Sequence, residues 1–128
     1  TEMINHSKSV RLGIKKSLMV VDMPFQTFIT ENIALKNAKK IIKMTRCDGL
    51  KLEGGSKVSK TVKILVKNKI PVMSHIGLQP QKISNKKKYK VLGRNVSEEK
   101  KIIKDLLSVE KAGSFFCCLR IGYRKFGK

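Results

Sequence analysis

The chain has 128 residues, enough for one ordinary domain with a single core. Its formal net charge of +20 would usually indicate a nucleic acid or an anionic membrane surface as partner. Lysine supplies most of this charge and is spread over every segment, whereas arginine and aromatic side chains, which contact and stack on bases, are scarce. We therefore attribute the charge to composition and do not expect a nucleic-acid function.

The spacing of the cysteines and the length of the apolar runs indicate the cellular compartment of the protein. Cys47, Cys117 and Cys118 do not have the spacing of a disulfide framework or a zinc site. No apolar run approaches the roughly 18 residues that span a membrane, and Thr1–His6 lack a signal-peptide pattern. These features predict a cytoplasmic protein with reduced thiols and no membrane partner.

The first part of the chain alternates between helical and strand-like patterns. A helix with loose apolar spacing is predicted up to Gly13, followed by a buried strand over Ser17–Asp22. Thr30 is the expected N-cap of a helix that runs to about Arg46. A strand over Asp48–Glu53 and a helix over Ser56–Lys69 follow. The predicted apolar faces of these two later helices comprise Ile33, Ala34, Ala38, Ile41, Ile42, Val58, Val62, Leu65 and Val66.

The second part continues the alternation after one long interruption. A strand is predicted over Pro71–Ser74, and Gln79–Arg94 form a long polar connection. Ser97 is the expected cap of a helix that Gly113 ends, and Ser114–Leu119 form the last strand. The predicted apolar face of this helix comprises Ile102, Ile103, Leu106 and Val109. This order predicts an α/β fold with a parallel sheet and right-handed crossovers.

Polar side chains follow the apolar part of three predicted strands, where parallel sheets build their sites. Asp22 is either a ligand for a hard cation such as Mg²⁺ or a turn-capping aspartate. Lys51 and Glu53 share one face of a strand, as part of a reactive site or as a simple salt bridge. His75 either positions substrate and transfers protons or is a hydrogen-bonded structural histidine.

Four motifs together point to one family. Val21–Phe25 (VDMPF), Lys51–Gly55 (KLEGG), His75–Gln81 (HIGLQPQ) and Tyr89–Arg94 (YKVLGR) occur in that family's order and spacing. The chain resembles ketopantoate hydroxymethyltransferase, also called 3-methyl-2-oxobutanoate hydroxymethyltransferase, up to about Leu119.

The resemblance implies a fold and an activity. The family is a homo-oligomeric (β/α)8 TIM barrel, so residues 1–119 would form about strands three to six with their helices, and residues 120–128 a divergent, disordered basic tail. The family binds Mg²⁺ and transfers a hydroxymethyl group from 5,10-methylenetetrahydrofolate to 2-oxoisovalerate. The product is ketopantoate, a precursor in pantothenate and coenzyme A biosynthesis.

The resemblance also assigns roles to individual residues. Asp22 matches a metal ligand that contacts substrate, and Lys51 matches the lysine that binds the keto acid. Glu53 matches a carboxylate that holds the metal directly or through water, and His75 takes a supporting role. The position of the catalytic base falls on Arg120, which stays protonated, so no catalytic base is expected among these residues.

The chain departs from the family pattern in three places. An Asp-Ser pair on the preceding strand and the last two strands have no counterpart here, and Lys88 replaces a glycine. From these departures we expect a chain shortened at both ends, by a reading-frame change or an incomplete sequence. Two other hypotheses remain: an inactive gene remnant, or a basic module that binds polyanions through Lys86–Lys90 and Arg120–Lys128.

Overall fold

The computed structural model describes residues 2–79, 81 and 92–121. Helices and strands alternate through them, which confirms the predicted α/β class. The elements are α1 (Glu2–Gly13), β1 (Val20–Asp22), α2 (Glu31–Thr45), β2 (Gly49–Glu53), a 3₁₀ turn (Ser56–Val58), α3 (Ser59–Lys67), β3 (Val72–Gly77), α4 (Val96–Lys111) and β4 (Phe116–Arg120). The expectations for Lys86–Lys90, for the Tyr89–Val91 part of the last motif and for the tail beyond Ile121 lie outside the described residues.

The strands form one parallel sheet in chain order, β1-β2-β3-β4. Asp22 is in register with Lys51 on the neighbouring strand, and Glu53 with His75. Because register partners in a parallel sheet project to the same side, these four side chains share one face. The order is compatible with the predicted barrel segment, and closure into a barrel stays a proposal.

The core lies between the other face of the sheet and helices α2 and α3. Leu50 and Leu52 of β2 are fully buried, as are Val62 and Leu65 of α3. Burial of one such side chain contributes about 1.5–3 kcal/mol. The amphipathic pattern predicted for α3 is confirmed, although its first turn, Ser56–Val58, is a 3₁₀ turn.

The boundaries of α2 follow from its caps. The Thr30 hydroxyl accepts a hydrogen bond from the backbone N–H of Ile33 at 3.3 Å, which confirms the predicted N-cap. The helix ends where Arg46 adopts a left-handed conformation with φ of 54°. The prediction of an apolar-face position is wrong for Ile33, which is 44% exposed. The buried apolar residues of α2 are Ala34, Ala38 and Ile41.

Several strand boundaries differ from the predictions, most of all those of β1 and β3. β1 begins at Val20 rather than Ser17, since the Met19 backbone N–H donates to the Asp48 carboxylate at 2.8 Å instead of joining a ladder. β3 extends past Ser74 to Gly77, because β2 and β4 pair with it on both sides. His75 therefore lies inside the strand and not after it.

The last helix begins and packs differently from the prediction. Ser97 is not the N-cap; Asn95 is, and its side chain accepts from the Glu98 N–H at 2.9 Å. The predicted apolar face is wrong for Ile103 and Leu106, which are 48% and 40% exposed. Among the described residues of α4, Val109 is the one that is buried.

The last strand also starts late. β4 covers Phe116–Arg120. The hydroxyl of Ser114 donates to the Val72 carbonyl and lies within hydrogen-bond distance of the Ser74 hydroxyl, both at 2.9 Å, instead of extending the ladder. Within residues 2–79, 81 and 92–121, no helix has both the length and the apolar character needed to cross a bilayer.

Candidate functional site

Five polar side chains meet at the carboxyl ends of β1, β2 and β3. Asp22, Lys51, Glu53, His75 and Gln81 are called the carboxylate cluster below. The Lys51 ammonium donates to the Asp22 carboxylate. The two side chains are 24% and 40% exposed respectively, so the pair lies at the mouth of the site rather than in the core.

The second half of the cluster is buried. The side chains of Glu53 and His75 are 3% and 4% exposed, and His75 Nδ1 lies 3.2 Å from Glu53 Oε1. This contact is not aligned as a hydrogen bond, and within the described part of the chain neither ring nitrogen of His75 has a hydrogen-bond partner. Burial lowers the pKa of His75; the Glu53 carboxylate opposes this effect and the Lys51 ammonium adds to it. The imidazole is therefore neutral at pH 7.

Gln81 connects the two carboxylates. Its backbone N–H donates to Glu53 Oε2 at 3.2 Å, and its side-chain Nε2 donates to Asp22 Oδ1 at 3.1 Å. A longer contact of 3.4 Å joins Nε2 to the Met23 carbonyl. Gln81 is the last residue of the HIGLQPQ motif, and the motif predicted no role for it. The sequence feature that could have identified Gln81 is its position: it is a polar residue a few positions after a strand that already carries a candidate polar side chain.

Backbone contacts fix the strand ends that carry these side chains. The Met23 N–H donates to the Lys51 carbonyl and the Gly54 N–H to the His75 carbonyl, both at 2.9 Å. Gly77 has φ of +85°, and a Cβ there would collide with the Arg120 carbonyl. Glycine at this position thus allows the end of β3 to approach β4 closely.

The loop after Glu53 is tied to helix α4. Asp105 Oδ1 accepts hydrogen bonds from the backbone N–H and the hydroxyl of Ser56 at 2.8 and 2.7 Å. A side chain at Gly55 would overlap the Asp105 carboxyl group. The Gly-Gly sequence of the KLEGG motif therefore permits α4 to pack directly over this loop.

The donor chemistry of the cluster fits a magnesium ion. Mg²⁺ prefers oxygen ligands and is usually bound through one or two carboxylates while it keeps several waters. Asp22 and Glu53 supply two such groups, bridged by one residue. No group of three or more His, Cys, Asp or Glu side chains suited to a metal occurs among residues 2–79, 81 and 92–121. Water or other ligands would complete the shell.

All four carboxylate oxygens of the pair face a nitrogen atom. Lys51 and Gln81 donate to the two oxygens of Asp22, and Gln81 and His75 lie against the two oxygens of Glu53. Lys51 supplies the positive charge among these contacts, whereas Gln81 and the neutral His75 add no net charge. A cation entering the site competes with these contacts.

The structure thus brings together the four residues predicted for substrate, metal and support: Asp22, Lys51, Glu53 and His75. Arg120, predicted at the position of the base, ends β4 and is exposed. Its positive charge contributes to the lowered pKa of His75. The roles of these residues stay predictions.

Comparisons with known proteins agree with the motifs. The model of the family described as ketopantoate hydroxymethyltransferase matches residues 1–126. A 3-methyl-2-oxobutanoate hydroxymethyltransferase from Pelagibacter ubique (strain HTCC1062) is 55% identical over 113 residues, which cover 88% of this chain and 43% of that protein. An enzyme of the same name from Campylobacter fetus subsp. fetus (strain 82-40) is 47% identical over 113 residues, with the same two shares.

A third relative extends the match to lower identity. The 3-methyl-2-oxobutanoate hydroxymethyltransferase of Aliarcobacter butzleri (strain RM4018) is 40% identical over 114 residues, which cover 89% of this chain and 42% of that enzyme. The chain spans less than half the length of these curated relatives. The match of the family model to residues 1–126 confirms the resemblance read from the motifs: the chain belongs to the ketopantoate hydroxymethyltransferase family.

Proposed function

We propose that this chain carries the cation- and keto-acid-binding part of a hydroxymethyltransferase. The reaction would transfer a one-carbon unit from 5,10-methylenetetrahydrofolate to 2-oxoisovalerate and give ketopantoate. The observation that carries the proposal is the joining of Asp22, Lys51 and Glu53 into one hydrogen-bonded cluster at the ends of β1 and β2. The names of the relatives support the choice of reaction.

Each residue of the cluster has a task in this proposal. Asp22 and Glu53 would hold Mg²⁺ through carboxylate oxygens. When bound, the metal supplies a Lewis acid that acidifies the C3 proton of the keto acid and stabilises the resulting enolate. Lys51, only 24% exposed, would place its positive charge against the substrate carboxylate. The neutral His75 would support Glu53 from the buried side.

The proton-accepting step is not assigned to the cluster. The position expected for the general base is Arg120, and a guanidinium stays protonated at accessible pH. We therefore propose that the described residues bind and orient substrate and cation, and that the proton acceptor is another group.

A cavity at the ends of β2 and β3 is a candidate position for part of the second substrate. It has a volume of about 350 Å³ and lies between the ends of β2 and β3 and helix α4. Lys57 and Lys101 are among its lining residues, along with the glycines of the KLEGG motif. Lysine side chains suit the carboxylates of the glutamate part of a folate, so we propose that 5,10-methylenetetrahydrofolate approaches from this side.

We also propose that the chain forms part of a (β/α)8 barrel and that this barrel belongs to a homo-oligomer. Apolar side chains of α4 and β4 are exposed, among them Leu107 at 56%, Phe116 at 54% and Leu119 at 51%. Exposed apolar surface of this extent favours further strands or subunits that cover it. A partial (β/α)8 barrel in a homo-oligomer satisfies that requirement, and the free cysteines Cys47, Cys117 and Cys118 favour a cytoplasmic setting.

Binding of 2-oxoisovalerate in the presence of Mg²⁺ tests the proposal. Isothermal titration calorimetry with the chain should show binding that weakens about tenfold or more in Lys51→Gln, because a charge-assisted hydrogen bond is lost. Asp22→Asn should weaken it similarly. Lys39→Gln, which removes an exposed charge on α2, is the matched control and should bind like the unchanged chain. Equal affinities for Lys51→Gln and Lys39→Gln would contradict the proposal.

A further inference from the structure

Gln81 donates to the two carboxylates that the proposed function assigns to the cation. Its Nε2 lies 3.1 Å from Asp22 Oδ1, and its backbone N–H lies 3.2 Å from Glu53 Oε2. Both donors carry partial positive charge and lie where carboxylate lone pairs would otherwise contact a cation. One residue thus occupies one oxygen of each proposed ligand.

The orientation of the amide is determined by its donor end. Both polar contacts of the Gln81 side chain are made through Nε2, to Asp22 and to the Met23 carbonyl. Its Oε1 is buried and, among the described residues, has no hydrogen-bond partner. A buried acceptor without a partner is unfavourable, so the side chain stabilises the cluster only because its Nε2 contacts outweigh this cost. The amide therefore keeps its Nε2 contact with Asp22 although its Oε1 has no partner among the described residues.

We propose that the Gln81 amide and a divalent cation compete for Asp22, so that the amide contacts the carboxylate in the absence of the cation and leaves it when the cation binds. This inference rests on the proposed cation site at Asp22 and Glu53. An amide N–H that points at a ligand oxygen is repelled by a cation on that oxygen, and departure of the amide frees Oε1 to find a partner. Gln81 is in this account a positioning residue that stabilises the cation-free cluster.

The proposal predicts opposite effects on stability and on affinity. Replacing the side chain removes a stabilising contact from the cation-free state alone, since the cation-bound state has already lost it. The variant is then less stable without cation, equally stable with saturating cation, and binds the cation more tightly by the corresponding factor. A side chain that only supports the fold would lower stability equally in both states.

The test uses the 128-residue chain and its Gln81→Met and Gln81→Ala variants. Gln81→Met keeps the length of the side chain without its amide, and both variants keep the backbone N–H that donates to Glu53. Gln79→Ala is the matched control, because within the described part of the chain Gln79 donates no hydrogen bond to either carboxylate. Thermal unfolding is followed with chelator and with saturating Mg²⁺, and Mn²⁺ affinity by electron paramagnetic resonance.

We expect both Gln81 variants to unfold about 4 °C or more below the unchanged chain with chelator and at the same temperature with saturating Mg²⁺. Mn²⁺ should bind about tenfold more tightly to them. Equal destabilisation with and without Mg²⁺, or unchanged or weaker Mn²⁺ binding, would overturn the role of Gln81 and leave the cation site intact. An absence of Mn²⁺ binding in the unchanged chain would overturn the cation site itself, and the role of Gln81 with it.

Discussion

The two ends of the sheet differ in how completely their side chains are packed. The apolar side chains of β1, β2 and α3 are buried or half-buried, and the polar side chains of β1 and β2 join the carboxylate cluster. Around α4 and β4 large apolar side chains such as Leu107 and Phe116 are more than half exposed. The first region is stabilised by burial of its own apolar side chains. The second buries fewer of them and relies more on specific contacts with the first.

Those contacts explain why α4 stays on the sheet. Asp105 accepts two hydrogen bonds from Ser56, and Gly55 leaves the space that this requires. At the far end of the helix, Gly113 has φ of +96°, which turns the chain toward β4. Local polar and glycine geometry therefore adds to the burial of Val109 and to the pairing of β4 with β3 in attaching this region.

The largest expected effect is on the free energy of unfolding, which should fall more for a substitution in the buried region than for one in the exposed region. Leu65→Ala, in the fully buried part of α3, should lower the free energy of unfolding by about 2–5 kcal/mol, because it leaves a cavity. Leu107→Ala removes the same atoms from a side chain that is 56% exposed and should change it by about 0.5 kcal/mol or less. Chemical denaturation measures both, and similar losses for the two variants would contradict the contrast.

A second prediction addresses the attachment of α4. Gly55→Ala places a methyl group into the Asp105 carboxyl and should destabilise the chain by about 1–3 kcal/mol. Gly13→Ala is the control, since a Cβ there meets no atom within 4 Å. Combining Gly55→Ala with Asp105→Ala should cost less than the sum of the single variants, as urea unfolding can show. Additive costs would mean that the two sites are independent.

A third prediction concerns the dependence of stability on pH. Burial lowers the pKa of His75 below its usual 6.5, so below that pH the unfolded chain binds a proton that the folded chain does not. The contribution is present at pH 7 and is lost as the pH falls toward 5, with a slope of at most about 1.4 kcal/mol per pH unit.

The comparison of two histidine variants isolates this contribution. In buffer with chelator, His75→Gln should flatten the slope between pH 7 and 5, whereas His6→Gln, which alters an exposed residue of α1, should leave it unchanged. An identical slope in His75→Gln and the unchanged chain would show that the imidazole is accessible to protons in the fold.

The smallest effect is a difference in the rate of thiol modification. Burial raises the pKa of both the Cys47 and the Cys117 thiol, so access rather than pKa separates them, and Cys47 is only 7% exposed. Cys117 and Cys118 in β4 are only half-buried. Iodoacetamide at pH 7 should therefore modify the β4 pair before Cys47, as peptide mass spectrometry of the native chain can determine. Earlier modification of Cys47 would contradict the packing contrast.

Much of the fold follows from local patterns in the sequence. Thr30 before an amphipathic run predicted the start of α2, and strand-length apolar runs predicted the parallel order. The cap of α4 was assigned to Ser97 although Asn95 has Glu98 three positions later, the spacing of a capping box. The exposed face of α4 could not be predicted, since an apolar periodicity does not say what covers it.

The candidate site was predictable where it depends on strand geometry. Lys51 and Glu53 share a face because they are two positions apart on one strand, and the register with β1 and β3 brings Asp22 and His75 beside them. Gln81 was missed as a contact, because its reach over both carboxylates depends on the path of the chain after β3. That path is a tertiary property without a periodic signal.

The central claim is that Asp22 and Glu53 belong to one divalent-cation site. Titration of the chain with Mn²⁺, followed by electron paramagnetic resonance and by displacement with Mg²⁺, tests it most directly. The account predicts one bound Mn²⁺ per chain, lost in both Asp22→Asn and Glu53→Gln. Retention of that Mn²⁺ in either variant would show that the two carboxylates do not share a cation.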